Sequence, residues 1–596
     1  MNYPILYIFI VLNLFILTQN KYELKDDYSL SAIFYTHLPN QKIPLINIPS
    51  SKIIKIKIDN TEIKPNNEYI FPNIGKHEVY ILIDNKQMKS LEKMFYNIKN
   101  LESIFFYEKF NTKNITNFNK MFYGCSSLKN INISFANAKS LTTMARMFYG
   151  CKSLTHLDLS NKNTSNLENM EGVFYNCESL ISVNFQNFIT TKVISMSNLF
   201  NNCKSLQYFN ISQFDTSNLK TTRLMFYKCS SLKNVDINKI ITKNLIIMDE
   251  TFNQCTSLKF LNLSNLYFPN LKSIEYFCNG CISLEFIELK NLSCPKLIKL
   301  DEIFRNCVSL KKIDFREFNV LILKSMFGAF QGCKSLTEIN LKNFNAFFVE
   351  KMDFLFAECD KLIKIDLTGI RTKYTKSTFN MFKGCKSLSS IDLSKFNTEY
   401  WWDIQYMFCD CTNLVKIDLS NLNVENVVIM NGLFKGCISL KEVNLYNWNT
   451  KRNLYLNEIF SGCESLEKIN LTNFNTTNII SMDRTFLNCK SLKYLNLSSF
   501  NNPRLLYLTE TFKGCNSLTS INLSNFNITK LKGLSELFSG CNNLKYINLG
   551  NIKFIKLVEY EKIFNGLPEN VNLIIDYKLY EIIKNQIHYN WNLSKI

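Results

Sequence analysis

The stretch Met147-Phe148-Tyr149-Gly150-Cys151-Lys152-Ser153-Leu154-Thr155-His156-Leu157-Asp158-Leu159-Ser160 carries two hydrophobic periods back to back. Upstream, Leu141, Met144, Met147/Phe148, Cys151 and Leu154 step by three or four, which is one face of a short helix. Gly150 and Ser153 mark its end. Downstream, Leu157 and Leu159 flank Asp158, the step of two that sends alternate side chains to opposite faces of a strand. Ser160-Asn161 then supplies turn chemistry. The stretch predicts a short helical turn, a bend and a short strand.

The same stretch recurs along the chain. Seventeen of the 20 cysteines form one series of 26-residue steps that begins Cys125, Cys151, Cys177, passes Cys333 and ends at Cys541. Three residues after each stands Leu, and three before stands Phe in 16 of the 17 copies, Cys278 being the exception. A period kept without insertion or deletion means that each unit forms one coil of a stack. Like residues then lie on like residues, and the strands join in a parallel sheet at about 4.8 Å spacing. The expected fold class is an α/β solenoid with a parallel β-sheet on one side and short helical turns opposite. A lone coil cannot bury its Leu, Ile, Phe and Cys, so the stability lies in contacts between neighbours.

The ends depart from the repeat. Residues 1–20 contain an uncharged run, Ile5 to Leu17, the length of a signal-peptide core and short for a membrane span. It reads as a secretory signal or a retained N-terminal anchor. Residues 22–90 read as a small β module, with Ile53–Ile58 alternating and His77–Ile83 following a break at Gly75. Residues 91–567 hold about 19 coils, counting degenerate ends. Residues 568–596 form a cap, with a strand at Val571–Ile575 and a helix over Tyr577–Ile587.

Composition narrows the chemistry. The 596 residues include 69 Lys and Arg against 50 Asp and Glu, a net charge of +19, and only 4 His, far apart in sequence. No P-loop, GxGxxG, HExxH or GxSxG motif occurs. Lys is spread rather than blocked, so a solvated face is favoured over nucleic-acid binding. No catalytic, cofactor or metal residues are expected, nor a transmembrane span beyond the N-terminal run.

The cysteine series reads as a reduced, buried ladder. Adjacent rungs point the same way at about the 4.8 Å strand spacing, beyond the mean disulfide Cβ separation of about 3.8 Å. Cys278-Asn279-Gly280-Cys281 and Cys409-Asp410-Cys411 read as core positions rather than redox sites. The outward strand position is Asn or Asp in 16 of 17 copies, a regularity that favours a structural polar ladder over a ligand site. Recognition belongs where coils differ. The residue five after the cysteine varies and supplies His156, Tyr208, Phe260, Phe286, Tyr494 and Tyr546; Trp401 and Trp402 break the unit locally. These eight are the candidate partner-binding residues, with packing between neighbouring coils as the alternative reading.

The unit Met147-Phe148-x-Gly-Cys151-x-Ser-Leu154-x-x-Leu157-x-Leu159 resembles that of the BspA-like leucine-rich-repeat surface proteins of the 26-residue type. The resemblance covers about 94–567. It implies a leucine-rich-repeat solenoid and a secreted or cell-surface binding protein used in adhesion, with protein or glycan partners and no catalytic residues. The alternative is an intracellular, cytoplasmic scaffold for protein–protein interaction, which suits a reduced cysteine ladder better.

Overall fold

The computed structural model describes residues 27–132, 139–211, 214–237, 240–315, 317–342, 344, 346–446, 448–550 and 552–596. The N-terminal apolar run lies outside them, as do Ile133 and Asn345 of the repeat. The chain divides into two compact units, residues 1–259 and 260–596. Both are built from 26-residue coils of a leucine-rich-repeat solenoid.

Each coil opens with turns rather than a helix. The residue before the ladder cysteine is left-handed, as at Gly150 (φ 71°), Asn176 (φ 61°) and Gly332 (φ 73°). So is the residue four positions earlier, as at Arg146 (φ 56°), Gly172 (φ 59°) and Gly328 (φ 54°). Two left-handed residues in each turn region prevent a continuous helix. The amides of Met147 and Cys151 donate three residues back, to Met144 (3.1 Å) and Phe148 (3.0 Å). The alternate amides of Arg146, Phe148 and Gly150 donate instead to Glu171, Val173 and Tyr175 on the next coil at 2.7–2.8 Å. A helix would consume those amides internally. Here half of them bind coil to coil, and the apolar side chains still face inward as their spacing requires.

The strands are three residues long and parallel. In the first unit His156–Asp158 pairs with Ser182–Asn184, Leu157 opposite Val183. In the second, Phe260–Asn262, Phe286–Glu288 and Lys312–Asp314 lie side by side, as do Lys416–Asp418, Glu442–Asn444 and Lys468–Asn470. A further ladder of single bridges runs through Thr143, Asn169 and Ser195 in the first unit and through Ser377, Asp403 and Ile429 in the second.

The core repeats with the backbone. Phe122 and Phe148 stack at 5.4 Å with their planes 1° apart, and Phe408 and Phe434 at 5.6 Å and 7°. All 20 cysteines are buried and free. The Cys151 thiol donates to the carbonyl of Phe122 one coil back at 3.2 Å, and Cys333 does the same to Phe304 at 3.2 Å. Cys278, standing where other coils have Phe, supplies its carbonyl to the Cys307 thiol at 3.1 Å. Burial pushes thiols such as those of Cys151 and Cys333 up from their ordinary range, and those of Cys541 and Cys409 to about 12. A row of buried threonines adds inter-coil bonds. Thr372 Oγ1 donates to the carbonyl of Asn397 at 2.9 Å and accepts from its amide at 2.8 Å.

In the first unit, Leu30–Thr36 pairs antiparallel with Gly75–Ile83 on one side and with Leu101–Phe106 on the other. Leu101–Phe106 pairs parallel with Asn130–Asn132, so one sheet continues from the antiparallel strands into the coils. His77 is buried there, Nδ1 2.6 Å from the Asp59 carboxylate and Nε2 3.0 Å from the carbonyl of Asn73. In the second unit the closing strand Asn572–Ile575 joins Tyr546–Leu549. The helix that follows is shorter than its pattern predicts, Tyr577–Ile583, with Asp576 accepting the amide of Lys578 at 2.9 Å. Lys584–Gln586 continues as a 3-10 turn. A last strand, Asn592–Lys595, pairs parallel with Asn572–Ile575, and Trp591 sets its ring edge-on to Phe564 at 5.1 Å.

Candidate binding surface

Each short strand turns its first and third residues outward and its middle residue into the core. The third position, the Asn/Asp row, is satisfied within its own coil. Asp158 Oδ1 accepts the amide of Ser160 at 2.9 Å, Asp418 that of Ser420 at 2.9 Å and Asn496 that of Ser498 at 3.0 Å. This side-chain turn ends the strand and explains why Asn and Asp alternate freely there while longer side chains are rare. Bonding along the sheet, the arrangement expected from the sequence, is seen between Asn444 Nδ2 and Asp418 Oδ1 at 3.1 Å. Hydroxyl and amide donation from Thr368 holds the Asp366 carboxyl below its ordinary range, and Ser394 and Ser420 do the same for Asp392 and Asp418.

The first strand position is where coils differ. His156, Tyr208, Phe260 and Phe286 are exposed there, Tyr208 at 55%, and Tyr494, at the equivalent place in a coil that forms no strand, is 68% exposed, whereas Tyr546 is half-buried. Partial burial moves the His156 imidazole down. Phe260 and Phe286 are direct neighbours on adjacent strands, and the Lys311 ammonium lies 5.9 Å from the Phe286 ring centre. The rest do not cluster: His156 and Tyr208 are two coils apart, as are Tyr494 and Tyr546.

Trp401 needs correction. It is 1% exposed and packs edge-on to Phe396 at 6.1 Å, so it belongs to the core, whereas its neighbour Trp402 is 45% exposed. Trp401 sits sixteen residues after its cysteine, where other coils place the buried Leu297, Leu323, Val349 and Val427.

One surface feature escaped the sequence reading. Fifteen residues after the cysteine most coils carry Asn, Lys or Arg. The Asn side chains brace the coil before: Asn166, Asn218 and Asn244 donate to the carbonyls of Lys139, Thr191 and Ser217 at 2.7–2.9 Å. Four successive coils instead place Ile322, Phe348, Tyr374 and Tyr400 there, all exposed. The signal was available by comparing each coil with the repeat's own consensus. Among the described residues no cluster of His, Cys, Asp and Glu could hold a metal ion, and no helix is long and apolar enough to cross a membrane.

Comparison with solved structures returns leucine-rich-repeat proteins. One from Bacteroides ovatus ATCC 8483 is 20% identical with a TM-score of 0.42, covering 68% of this chain and 88% of its own. A leucine-rich cell surface protein from Faecalibacterium prausnitzii A2-165 is 14% identical at a TM-score of 0.29, covering 61% and 77%. The functional domain of InlJ from Listeria monocytogenes, described as including a cysteine ladder, is 14% identical at 0.20, covering 70% and 73%. A comparison with curated proteins finds no match. The 26-residue period with its strand and cysteine ladder is that of a BspA-like leucine-rich-repeat protein. A family model matches six overlapping segments, 89–207, 180–287, 272–391, 298–416, 376–494 and 454–576. Since those segments run through nearly all of the repeats, the chain belongs to the family described as "Mycoplasma protein of unknown function, DUF285".

Proposed function

We propose that this chain is a non-catalytic binding protein, secreted or displayed at the cell surface, that acts in adhesion by holding a protein or glycan partner against its strand face. The observation that carries this is the contrast between the two outward strand positions. The Asn/Asp row is committed to the coil's own turns, whereas the first position varies and exposes Tyr208, Phe260, Phe286 and Tyr494. Exposed aromatics on a rigid frame bind at low entropic cost. One similar solved structure is described as a leucine-rich cell surface protein, which is consistent with display outside the cell. The test is a protein and glycan array probed with the full chain, repeated with Tyr208, Phe286 and Tyr494 changed to Ser. Partners lost by that variant at unchanged thermal stability support the reading, and partners retained by it refute the strand face as the contact surface.

The second reading is an intracellular scaffold. The observation favouring it is the full set of 20 free, buried thiols, since oxidising compartments favour disulfides. Sequencing the N-terminus of the protein from its native cell separates the two. Loss of about 20 residues indicates secretion, and an intact Met1 indicates the scaffold or an anchored form.

A further inference from the structure

The column fifteen residues after the ladder cysteines changes character twice within the second unit. At Ile322, Phe348, Tyr374 and Tyr400 it is apolar and 40–49% exposed. Two coils beyond Tyr400 it becomes cationic, with Arg452 and then Arg504. That these residues are true neighbours is visible from Phe348 and Tyr374, stacked at 5.7 Å, and from Arg504 donating to Asn478 at 3.2 Å. At the cationic end lies an open depression of about 490 Å³, lined by Glu425, Val428, Lys451, Arg452, Leu454, Asn478 and Arg504. Three cations there face one carboxylate. The apolar end is also fringed by positive charge, the Arg371 guanidinium 4.8 Å from the Phe347 ring centre and the Lys373 ammonium 5.6 Å from that of Tyr374. Neither cation has a carboxylate partner among the described residues.

An apolar strip of this kind on a surface otherwise braced by Asn marks an interaction site. We infer that it docks an extended polypeptide segment that is apolar at one end and acidic at the other. Its apolar side chains would cover Ile322 to Tyr400 and its carboxylates would reach Arg452 and Arg504. Two observations select this occupant. Phe348 and Tyr374 stack with centres 5.7 Å apart and planes 20° from parallel, so each ring takes up part of its neighbour's face. Aliphatic and aromatic side chains pack against partly covered rings, whereas a sugar ring needs an open aromatic face. The positive fringe and depression are complementary to carboxylates, and a second copy of a chain of net charge +19 would meet repulsion there. The reach is also suitable. Ile322 and Arg504 are seven coils apart, about 34 Å at the strand spacing, which an extended segment of about ten residues spans. This inference rests on the binding-protein reading but assigns a surface separate from the strand face.

The experiment is fluorescence anisotropy with the full chain and a labelled peptide of about ten residues, Leu and Phe in one half and Asp and Glu in the other. Three comparison probes accompany it: the same peptide with Lys for the acids, the same with Ser for Leu and Phe, and a hyaluronan oligosaccharide. The variants are F348S/Y374S/Y400S and R452E/R504E, both confined to exposed positions, with thermal unfolding as the folding control. Each variant is expected to weaken the acidic-apolar peptide by about tenfold or more, and salt is expected to weaken the wild type. The Lys and Ser peptides are expected not to bind. Equal peptide binding by wild type and both variants overturns the inference. So does tighter binding of hyaluronan than of the peptide, or self-association that F348S/Y374S/Y400S abolishes. Array partners lost with Tyr208, Phe286 and Tyr494 while the peptide fails to bind would sink the strip alone and leave the strand-face reading standing.

Discussion

The thiol of Cys151 donates to the main-chain carbonyl of Phe122, 29 residues earlier and one coil back, at 3.2 Å. The bond recurs at Cys177 to Phe148 and, in the second unit, at Cys437 to Phe408. The cysteine thus does in the core what no aliphatic residue of its size can do. It fills a small apolar space and gives a second hydrogen bond to a carbonyl that already accepts the amide of the preceding coil's cysteine, as Phe122 does from Cys125 at 3.2 Å and Phe148 from Cys151 at 3.0 Å.

This arrangement predicts how stability depends on pH. Burial raises folded thiols such as Cys151, Cys333 and Cys437 above their ordinary value of about 9, with Cys541 and Cys409 at about 12. Above pH 9 the unfolded chain therefore releases protons that the folded chain keeps. Stability is fully present below the unfolded thiol range and falls as pH rises through it. The melting temperature in reductant should drop steadily from pH 8 to pH 9.5, below the lysine range. At pH 8 a thiol reagent should modify few cysteines in the native protein and all of them in guanidinium. Rapid modification of most thiols without denaturant would contradict the ladder.

Trp401 and Trp402 should separate stability from recognition. Trp401→Ala opens a cavity and is expected to cost about 3–5 kcal/mol. Trp402→Ala should change stability by less than about 0.5 kcal/mol. Chemical denaturation of the two variants reads the difference, and similar losses in both would contradict their placement.

The threonine row should be sensitive to losing its hydroxyl. Thr372→Val keeps the shape but leaves both the amide and the carbonyl of Asn397 without their partner, at a cost of about 2–3 kcal/mol. Thr372→Ser retains both bonds and should lose less than half of that. Equal losses would mean that the methyl, not the hydroxyl, matters.

Glycines divide by what surrounds them. A Cβ at Gly369 would meet the carbonyl oxygen of Leu341 at 1.9 Å and that of Lys342 at 2.6 Å, both backbone. Gly369→Ala is therefore expected to cost more than about 3 kcal/mol or to prevent folding. Gly150→Asn should be mild, because a Cβ there finds only Gly124 at 3.8–3.9 Å and Asn176 holds the same left-handed place in the next coil. A severe loss in Gly150→Asn would contradict the turn geometry.

The period, the buried cysteines and the parallel strands were legible because each rests on side-chain pattern alone. The turns were not, since the three-and-four spacing of Leu141, Met144 and Phe148 is shared by a helix and by left-handed turns. The recurrence of Gly172, Gly328 and Gly432 at one place, with Asn198 and Asn380 there in other coils, was the trace of the second left-handed residue. Trp401 was misplaced because the pair with Trp402 was read as a local break, when its register already put it on the Leu323 and Val349 column. Asn592–Lys595 is mostly exposed polar residues, and only the neighbouring strand makes it a strand. The aromatic column at Phe348 and Tyr374 lies outside the strand, and its meaning comes only from its departure from the Asn, Lys or Arg that most coils carry there.

Leu30–Thr36 runs against the direction of the coil strand that it covers, and it can pair in that way only with a first coil. Most interior coils carry no such distinction, since each presents its neighbour with the same carbonyls, rings and thiols, the coil with Cys278 in place of Phe being an exception. Duplication or deletion of one 26-residue segment inside the array therefore changes the protein's reach without requiring a new kind of contact. Inheritance can vary the number of copies in the middle, and only the terminal pieces are irreplaceable.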